Sequence, residues 1–193
     1  MESKSFTFVL LGRSGSGKGT QAKFLANMLK DVVYVSTGDL FRRLAAVESV
    51  AGRKVAGMLA AGHLPEDWLA ISLWQRELLD TLVREEQHVI LDGALRRVTE
   101  AEVLDSVTKW FGREPAIPIL IDITREEAFR RLKLRGRADD SDDGINKRLD
   151  WYDDDVARAV GFYEKQSRLI RVDGMPAPER VFENMLNALD LKK

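Results

Sequence analysis

The chain has 193 residues, 45% apolar and 32% charged, the balance of a globular protein with room for one α/β domain and a real core. Its 30 basic and 31 acidic side chains nearly cancel, so no global field points to nucleic acid or membrane, and any anion site must be a local cluster. Without cysteine there is neither a disulfide framework nor a thiolate metal site, which suits a reducing, cytoplasmic setting.

The start, Met1-Glu2-Ser3-Lys4-Ser5, lacks the apolar core of a signal peptide. Residues 6–11 then read as a buried strand, followed by a glycine-rich turn and a helix over 20–29. A second strand is expected at 32–35. Residues 41–65, helical and rich in Ala and Arg, look inserted. A helix over 68–85 carries Trp68 and Trp74, both expected in the core, and a third strand follows at 89–91, with His88 read as strand-edge structure. A helix over 99–107 would be capped by Thr99. The fourth strand is 117–123, a helix covers 125–134, and a short polar loop fills 136–144. A long helix over 143–164 and a fifth strand at 169–172 complete the pattern. Continuous Val/Ile/Leu runs indicate strands covered on both faces, and the βαβα order implies a doubly wound parallel sheet. No apolar run approaches the ~20 residues of a membrane span.

The chemistry is concentrated first in Gly12-Arg13-Ser14-Gly15-Ser16-Gly17-Lys18-Gly19-Thr20, between a strand and a helix. Glycines let successive backbone N–H groups point into one concavity that binds phosphate oxygens, and the following helix adds its dipole. Lys18 supplies a mobile positive charge. Gly15, Ser16, Gly17, Lys18, Gly19 and Thr20 are therefore the expected nucleotide-phosphate site. The hydroxyl comes one position late, at Thr20, because Gly19 follows the lysine.

Further motifs follow in order: Ser36-Thr37-Gly38-Asp39-Leu40-Phe41-Arg42, Leu91-Asp92-Gly93 with Arg96, Arg131 and Arg135, Arg137-Ala138-Asp139-Asp140, Arg148, and Val172-Asp173-Gly174. With the GKGT ending of the phosphate loop, this set resembles the adenylate kinase family and its UMP-CMP kinase relatives over nearly the whole chain. The resemblance implies a P-loop NTPase fold with a central five-stranded parallel sheet. It implies a core of 1–35, 67–135 and 145–193, a helical monophosphate-binding insertion at 36–66 and a short lid at 136–144. Insertion and lid would be moving parts.

The resemblance also assigns roles. Arg42 and Arg96 would hold the acceptor phosphate, with Thr37, Leu64, Gly93 and Glu100 around the acceptor. Arg131 and Arg135, four apart and hence on one helix face, would sit on the ATP side with Gly174 and Pro176. Arg137 and Arg148 would swing in with the lid. Arginine suits this work because its planar fork of donors stays charged. Arg43, Arg97 and Arg130 are neighbouring controls expected on solvated surfaces. Asp92, ending a strand, would orient Mg2+ through water, since magnesium keeps several waters and few protein ligands. Asp39 is a weaker metal candidate that could instead cap a helix beginning at Leu40. His63 could serve phosphate or backbone.

The chain departs from the family pattern in four places. Ser14 stands where proline is usual, which loosens the loop without removing an N–H donor. Ala94-Leu95 replace the Phe-Pro of a DGFPR segment, so a trans path and a displaced Arg96 are expected. The lid is shorter than in short-lid relatives. Glu100 stands where a glutamine reads adenine. An ionised carboxylate only accepts, so it would suit guanine better, unless it is a surface helix residue. The expected reaction is reversible Mg2+-dependent transfer from ATP to AMP by a monomer. A kinase for GMP, CMP or UMP, another small-molecule kinase, and a low-turnover nucleotide-binding regulator are the alternatives.

Overall fold

The computed structural model describes residues 5–137 and 140–191; residues 1–4 of the start and Ala138 and Asp139 of the expected lid lie outside them. The apolar runs form β1 (Thr7–Leu11), β2 (Val32–Ser36), β3 (His88–Asp92), β4 (Ile117–Asp122) and β5 (Ile170–Asp173). All pair in parallel, in the order β2-β3-β1-β4-β5, with Leu10 opposite Asp92 and Asp122 opposite Asp173. β1 is buried along its whole length because alternate side chains feed two cores. Phe8 and Leu10 pack with Ile90, Ile119, Ile121 and Val172 beneath α1 (Lys18–Leu29) and α9 (Pro178–Ala188). Val9 and Leu11 pack with Val35, Leu91 and Leu120 beneath α4 (Asp67–Thr81), α5 (Val98–Trp110) and α8 (Ala157–Lys165), reached by Trp74, Leu104 and Tyr163.

The expected insertion contains α2 (Thr37–Ala45) and α3 (Val50–Ala60), which share a small core of Phe41, Val55 and Ala70 with α4. Ser36 and Ser49 cap the two helices through their hydroxyls. α6 (Arg125–Arg135) and α7 (Asp142–Trp151), the second of which begins inside the expected lid, pack together through Ile123, Ala128, Leu132, Ile145 and Leu149. Burying Leu132 and Leu149 contributes about 1.5–3 kcal/mol each, which holds the two helices together. Thr124 and Ser141 cap these helices, and Gly136 ends α6 at φ 62°.

Several sequence expectations change. The helix expected at 143–164 runs without a break over 142–165, but a π-helical turn (Tyr152–Val156) joins α7 to α8 within it. The helix expected to reach 85 stops at Thr81, where the Gln87 side chain takes the N–H groups of Val83 and Arg84. Trp68 is 66% exposed, because the buried face of α4 runs through Ala70, Trp74 and Leu78. Thr99 does not cap α5; its hydroxyl donates to Asp67, and the N-cap position is Arg97. Asp39 does not begin a helix either, since its N–H is the group that the Ser36 cap receives. His88 opens an interior strand, accepting the Phe6 N–H on Nδ1.

Candidate active site

Because every strand is parallel, their C-terminal ends meet on one edge, and a cavity of about 890 Å³ opens there. On its floor the loop after β1 turns with Gly12 at φ 138°, and a Cβ at that position would lie 2.4 Å from the Ile121 carbonyl oxygen. Gly17, in the left-handed region at φ 96°, starts α1 without a side-chain cap. No side chain takes the first amides of α1, an arrangement that suits an anion. Lys18 Nζ donates to the carbonyls of Gly12 (2.8 Å) and Arg13 (2.9 Å). Burial pushes its pKa down to about 8, with Asp92 opposing and Arg96 and Arg135 adding to the shift. Gly15, Ser16, Gly17, Gly19 and Thr20 line the same cavity.

One wall comes from the insertion and from the turn after β3. Arg42, paired with Asp39, lines it together with Leu64 and Gly93. The path through Asp92-Gly93-Ala94-Leu95-Arg96 contains no cis peptide, as expected without proline, and Gly93 (φ 72°) and Leu95 (φ 60°) take it round in the left-handed region. The turn does not carry Arg96 away from the cavity. Its Nε donates to the Gly93 carbonyl at 2.7 Å, and its guanidinium lies 5.5 Å from the Phe41 ring centre and 5.6 Å from that of Trp151. Arg96 Nη1 is buried without a hydrogen-bond partner, a donor in want of an acceptor. Burial lowers the Arg96 pKa, and Glu100 and Asp92 counter it.

Glu100 overturns both expectations made for it. At 1% exposure it is no surface residue, and it does not line the cavity. Its Oε2 accepts the Leu95 N–H (3.2 Å) and its Oε1 the Arg96 N–H (3.1 Å). It ties the 93–96 turn and faces backbone rather than a base. Burial raises its pKa against the lowering pull of Arg96 and the two amides. Thr37 is likewise fully buried and outside the lining, its hydroxyl without a partner.

The opposite wall carries the remaining arginines. Arg131 Nη2 reaches the carbonyls of Gly174 (3.0 Å) and Met175 (3.1 Å), fixing the loop that also brings Pro176 to the cavity. Gly174 is required there, because a Cβ would lie 2.7 Å from Ile121. Arg135, Arg137 and Arg148 line the cavity around one carboxylate. Asp140 accepts Arg135 Nε (2.9 Å) and Nη2 (2.8 Å), Arg148 Nη2 (2.6 Å) and the Arg137 N–H (3.1 Å). Burial would raise the Asp140 pKa, yet the bonds from Arg135 and Arg148 win and hold it at about 2. Gly62 and Gly144 lie against each other, since a Cβ on Gly62 would lie 2.9 Å from the Gly144 Cα.

Asp92 ends β3 inside the cavity, its Oδ2 accepting the Tyr34 hydroxyl at 2.9 Å. Among the described residues no group of three His, Asp or Glu could hold a metal ion. Asp92 is the carboxylate that could orient a hard cation through water, with substrate phosphates supplying direct oxygen ligands, a donor set that fits magnesium. Asp39 is turned to Arg42. Of the controls, Arg43 pairs with Glu77 at the surface, but Arg97 ties Asp67 to Asp155, and Arg130, bonded to Glu127, also borders the cavity. Sequence reading singled out neither Asp140 nor Tyr34 nor Trp151. Only Asp140 left a signal, as an acid amid the lid arginines.

The family model for adenylate kinase matches residues 10–168. An adenylate kinase of Xanthomonas euvesicatoria pv. vesicatoria is 36% identical over 185 residues, covering 94% of this chain and 97% of that protein. A Xanthomonas oryzae pv. oryzae adenylate kinase is 35% identical over the same share of both chains. That of Thermus thermophilus is 34% identical over 187 residues, 95% of this chain and 96% of the relative. A phosphate loop on a five-stranded parallel sheet, arginines on both walls of one cavity and likeness over almost the full length have one meaning: the chain belongs to the adenylate kinase family and is a nucleoside monophosphate kinase, a phosphotransferase.

Proposed function

We propose that the chain transfers the γ-phosphoryl of ATP to AMP, reversibly, giving two ADP. The observation that carries this reading is the cavity itself, whose lining brings together Lys18 and the phosphate loop, Arg42 and Arg96, and Arg131, Arg135, Arg137 and Arg148. The donor phosphates lie on the loop amides and the N-terminus of α1. The acceptor phosphate lies against Arg42 and Arg96, whose buried Nη1 seeks an acceptor. An acceptor phosphate oxygen attacks the γ-phosphorus as the bond to the β,γ-bridging oxygen breaks, and ADP departs from each side. No covalent nucleophile is needed, so catalysis is positioning and charge neutralisation. Lys18 follows the moving charge, while Arg131, Arg135, Arg137 and Arg148 meet it as it spreads over the equatorial oxygens. Magnesium, oriented by Asp92 through water, would neutralise phosphate charge.

Residues 36–66 and 136–144 act as the moving parts over the core of 1–35, 67–135 and 145–193. Closure excludes water, which would otherwise accept the phosphoryl group. Leu64 borders the acceptor nucleoside, and Gly174 and Pro176 the ATP base. The protein works as a cytoplasmic monomer on small molecules, without nucleic acid or membrane; no helix among the described residues is long and apolar enough to cross a bilayer. A coupled assay of ADP formation with ATP, Mg2+ and AMP, GMP, CMP, UMP or dTMP tests the reading. AMP should give the highest kcat/KM. Turnover with another monophosphate alone would replace AMP as acceptor, and ATP binding without ADP from any acceptor would sink the kinase reading.

A further inference from the structure

Arg13 sits within the phosphate loop, yet its side chain is not among those lining the cavity. It runs the other way, to the π-helical turn between α7 and α8. Nη2 donates to Asp153 Oδ1 at 2.7 Å, Nη1 donates to the Ile123 carbonyl at 3.1 Å, and the guanidinium stacks 4.5 Å from the Tyr152 ring centre. Asp122 lies 3.7 Å from Nη1. The side chain is only 20% exposed and its Nε is buried without a partner, so burial against the turn holds it more firmly than its one strong ion pair would. Tyr152 and Asp153 are consecutive, and both meet the one guanidinium. Asp153 is itself fixed by Arg125, whose Nη1 donates to its other oxygen at 3.1 Å while Nη2 holds Asp150.

The backbone of the same residue faces inward. The Arg13 carbonyl accepts both Lys18 Nζ (2.9 Å) and the Ser16 N–H (3.0 Å). Arg13 therefore joins the catalytic lysine and the loop's internal turn, on one side, to the helical arm carrying Arg148, on the other. Such a tie is useful here. Gly12, Gly15 and Gly17 all sit at positive φ, and glycine loses more freedom than any other residue on ordering. Ser14 supplies no ring constraint. A loop held in shape before the nucleotide arrives binds it with less ordering cost.

We propose that Arg13 is a positioning residue for the donor nucleotide: anchored on Asp153 and Tyr152, it holds the phosphate loop and Lys18 in the shape that receives the donor phosphates. This rests on the loop being the donor site. The test compares wild type, Arg13→Gln, Arg13→Lys, Asp153→Asn, the double variant Arg13→Gln/Asp153→Asn, and Lys18→Ala as a control on the donor-site reading. Calorimetry with MgATP gives its Kd, and initial rates give separate KM values for ATP and AMP.

Arg13→Gln should raise the ATP Kd and KM about fivefold, the scale of a half-covered charge-assisted pair, and leave the AMP KM within about twofold. Arg13→Lys, which keeps a cation, should fall between wild type and Arg13→Gln. Asp153→Asn should shift the same constants less, and the double variant should be no worse than Arg13→Gln, since both changes break one tie. Should Arg13→Gln fail to fold, Asp153→Asn carries the test, because its side chain is 40% exposed and off the loop. Unchanged ATP constants in the folded variants, or equal shifts for ATP and AMP, overturn the proposal while the donor site stands. A wild type that binds no ATP, or a Lys18→Ala variant with unaltered turnover, overturns the donor-site reading and this inference with it.

Discussion

Replacing Glu100 with Gln separates two accounts of the acceptor side. If the carboxylate read the acceptor base, glutamine would restore a donor to adenine N1 and improve AMP use. The structure puts both oxygens on backbone instead, at 3.2 Å from the Leu95 nitrogen and 3.1 Å from that of Arg96, in a site with 1% exposure. Glutamine keeps one of these bonds and turns an NH2 toward the other N–H. A lost bond with a buried unsatisfied donor costs about 1–3 kcal/mol. Relief of the buried charge, which is what raises the Glu100 pKa, offsets part of this, leaving about 1–2 kcal/mol. The freed turn also contains Leu95 at φ 60°, a conformation that costs a non-glycine residue about 1–2 kcal/mol and relaxes once its N–H is released. Arg96 then moves with the turn. Urea unfolding should show a midpoint lower by about 0.5–1 M at an m-value near 2 kcal/mol/M. At saturating ATP, kcat/KM should fall by about tenfold for AMP and GMP alike, because a displaced phosphate anchor serves both. A rise in kcat/KM for AMP at unchanged stability would refute this reasoning and return Glu100 to the base site.

Asp140→Asn should release Arg135 and Arg148 together. Breaking a fully buried pair costs about 3–5 kcal/mol, but these partners are 31% and 12% exposed, so a loss of about 1–2 kcal/mol is expected, with a larger fall in kcat. The Asp140 pKa of about 2 lies below its ordinary value, so the stability it contributes is present above about pH 4 and lost as pH falls toward 2. The difference in urea midpoint between wild type and Asp140→Asn should therefore be full at pH 5 and shrink at pH 2.5. Lys18, lowered to about 8, should make kcat/KM for ATP decline above pH 8 while kcat holds to higher pH, since bound phosphates favour the ammonium. A kcat/KM flat to pH 9.5 would contradict this. Gly62→Ala meets Gly144 at 2.9 Å and a φ of 74°, and should raise KM for both nucleotides and speed amide exchange over 36–66.

The sheet was legible because its strands are covered on both faces and so stand out as unbroken apolar runs. The place of the phosphate loop between a strand and a helix was legible from adjacent residues alone, and the shared helix of Arg131 and Arg135 from their spacing. What escaped reading depends on contacts across the fold. Glu100 is held by amides of a left-handed turn, which leave no mark in side-chain pattern. Trp68 has the size of a core residue but lies off the stripe of Ala70, Trp74 and Leu78. The π-helical turn hides in Tyr152-Asp153-Asp154-Asp155-Val156, where no proline or glycine interrupts the helical pattern. Asp140, in the loop before α7, draws its role from Arg148, eight residues on within that helix.

A cavity that passes a phosphoryl group between two nucleotides, rather than to water, leaves a distinct trace in the products. The most direct measurement follows the label from γ-32P-ATP with purified protein, Mg2+ and AMP. Label should appear in the β-phosphate of ADP, formed from AMP in step with ATP consumption, and fall by several orders of magnitude in Lys18→Ala. Label recovered only as inorganic phosphate, or remaining in ATP, would contradict such transfer.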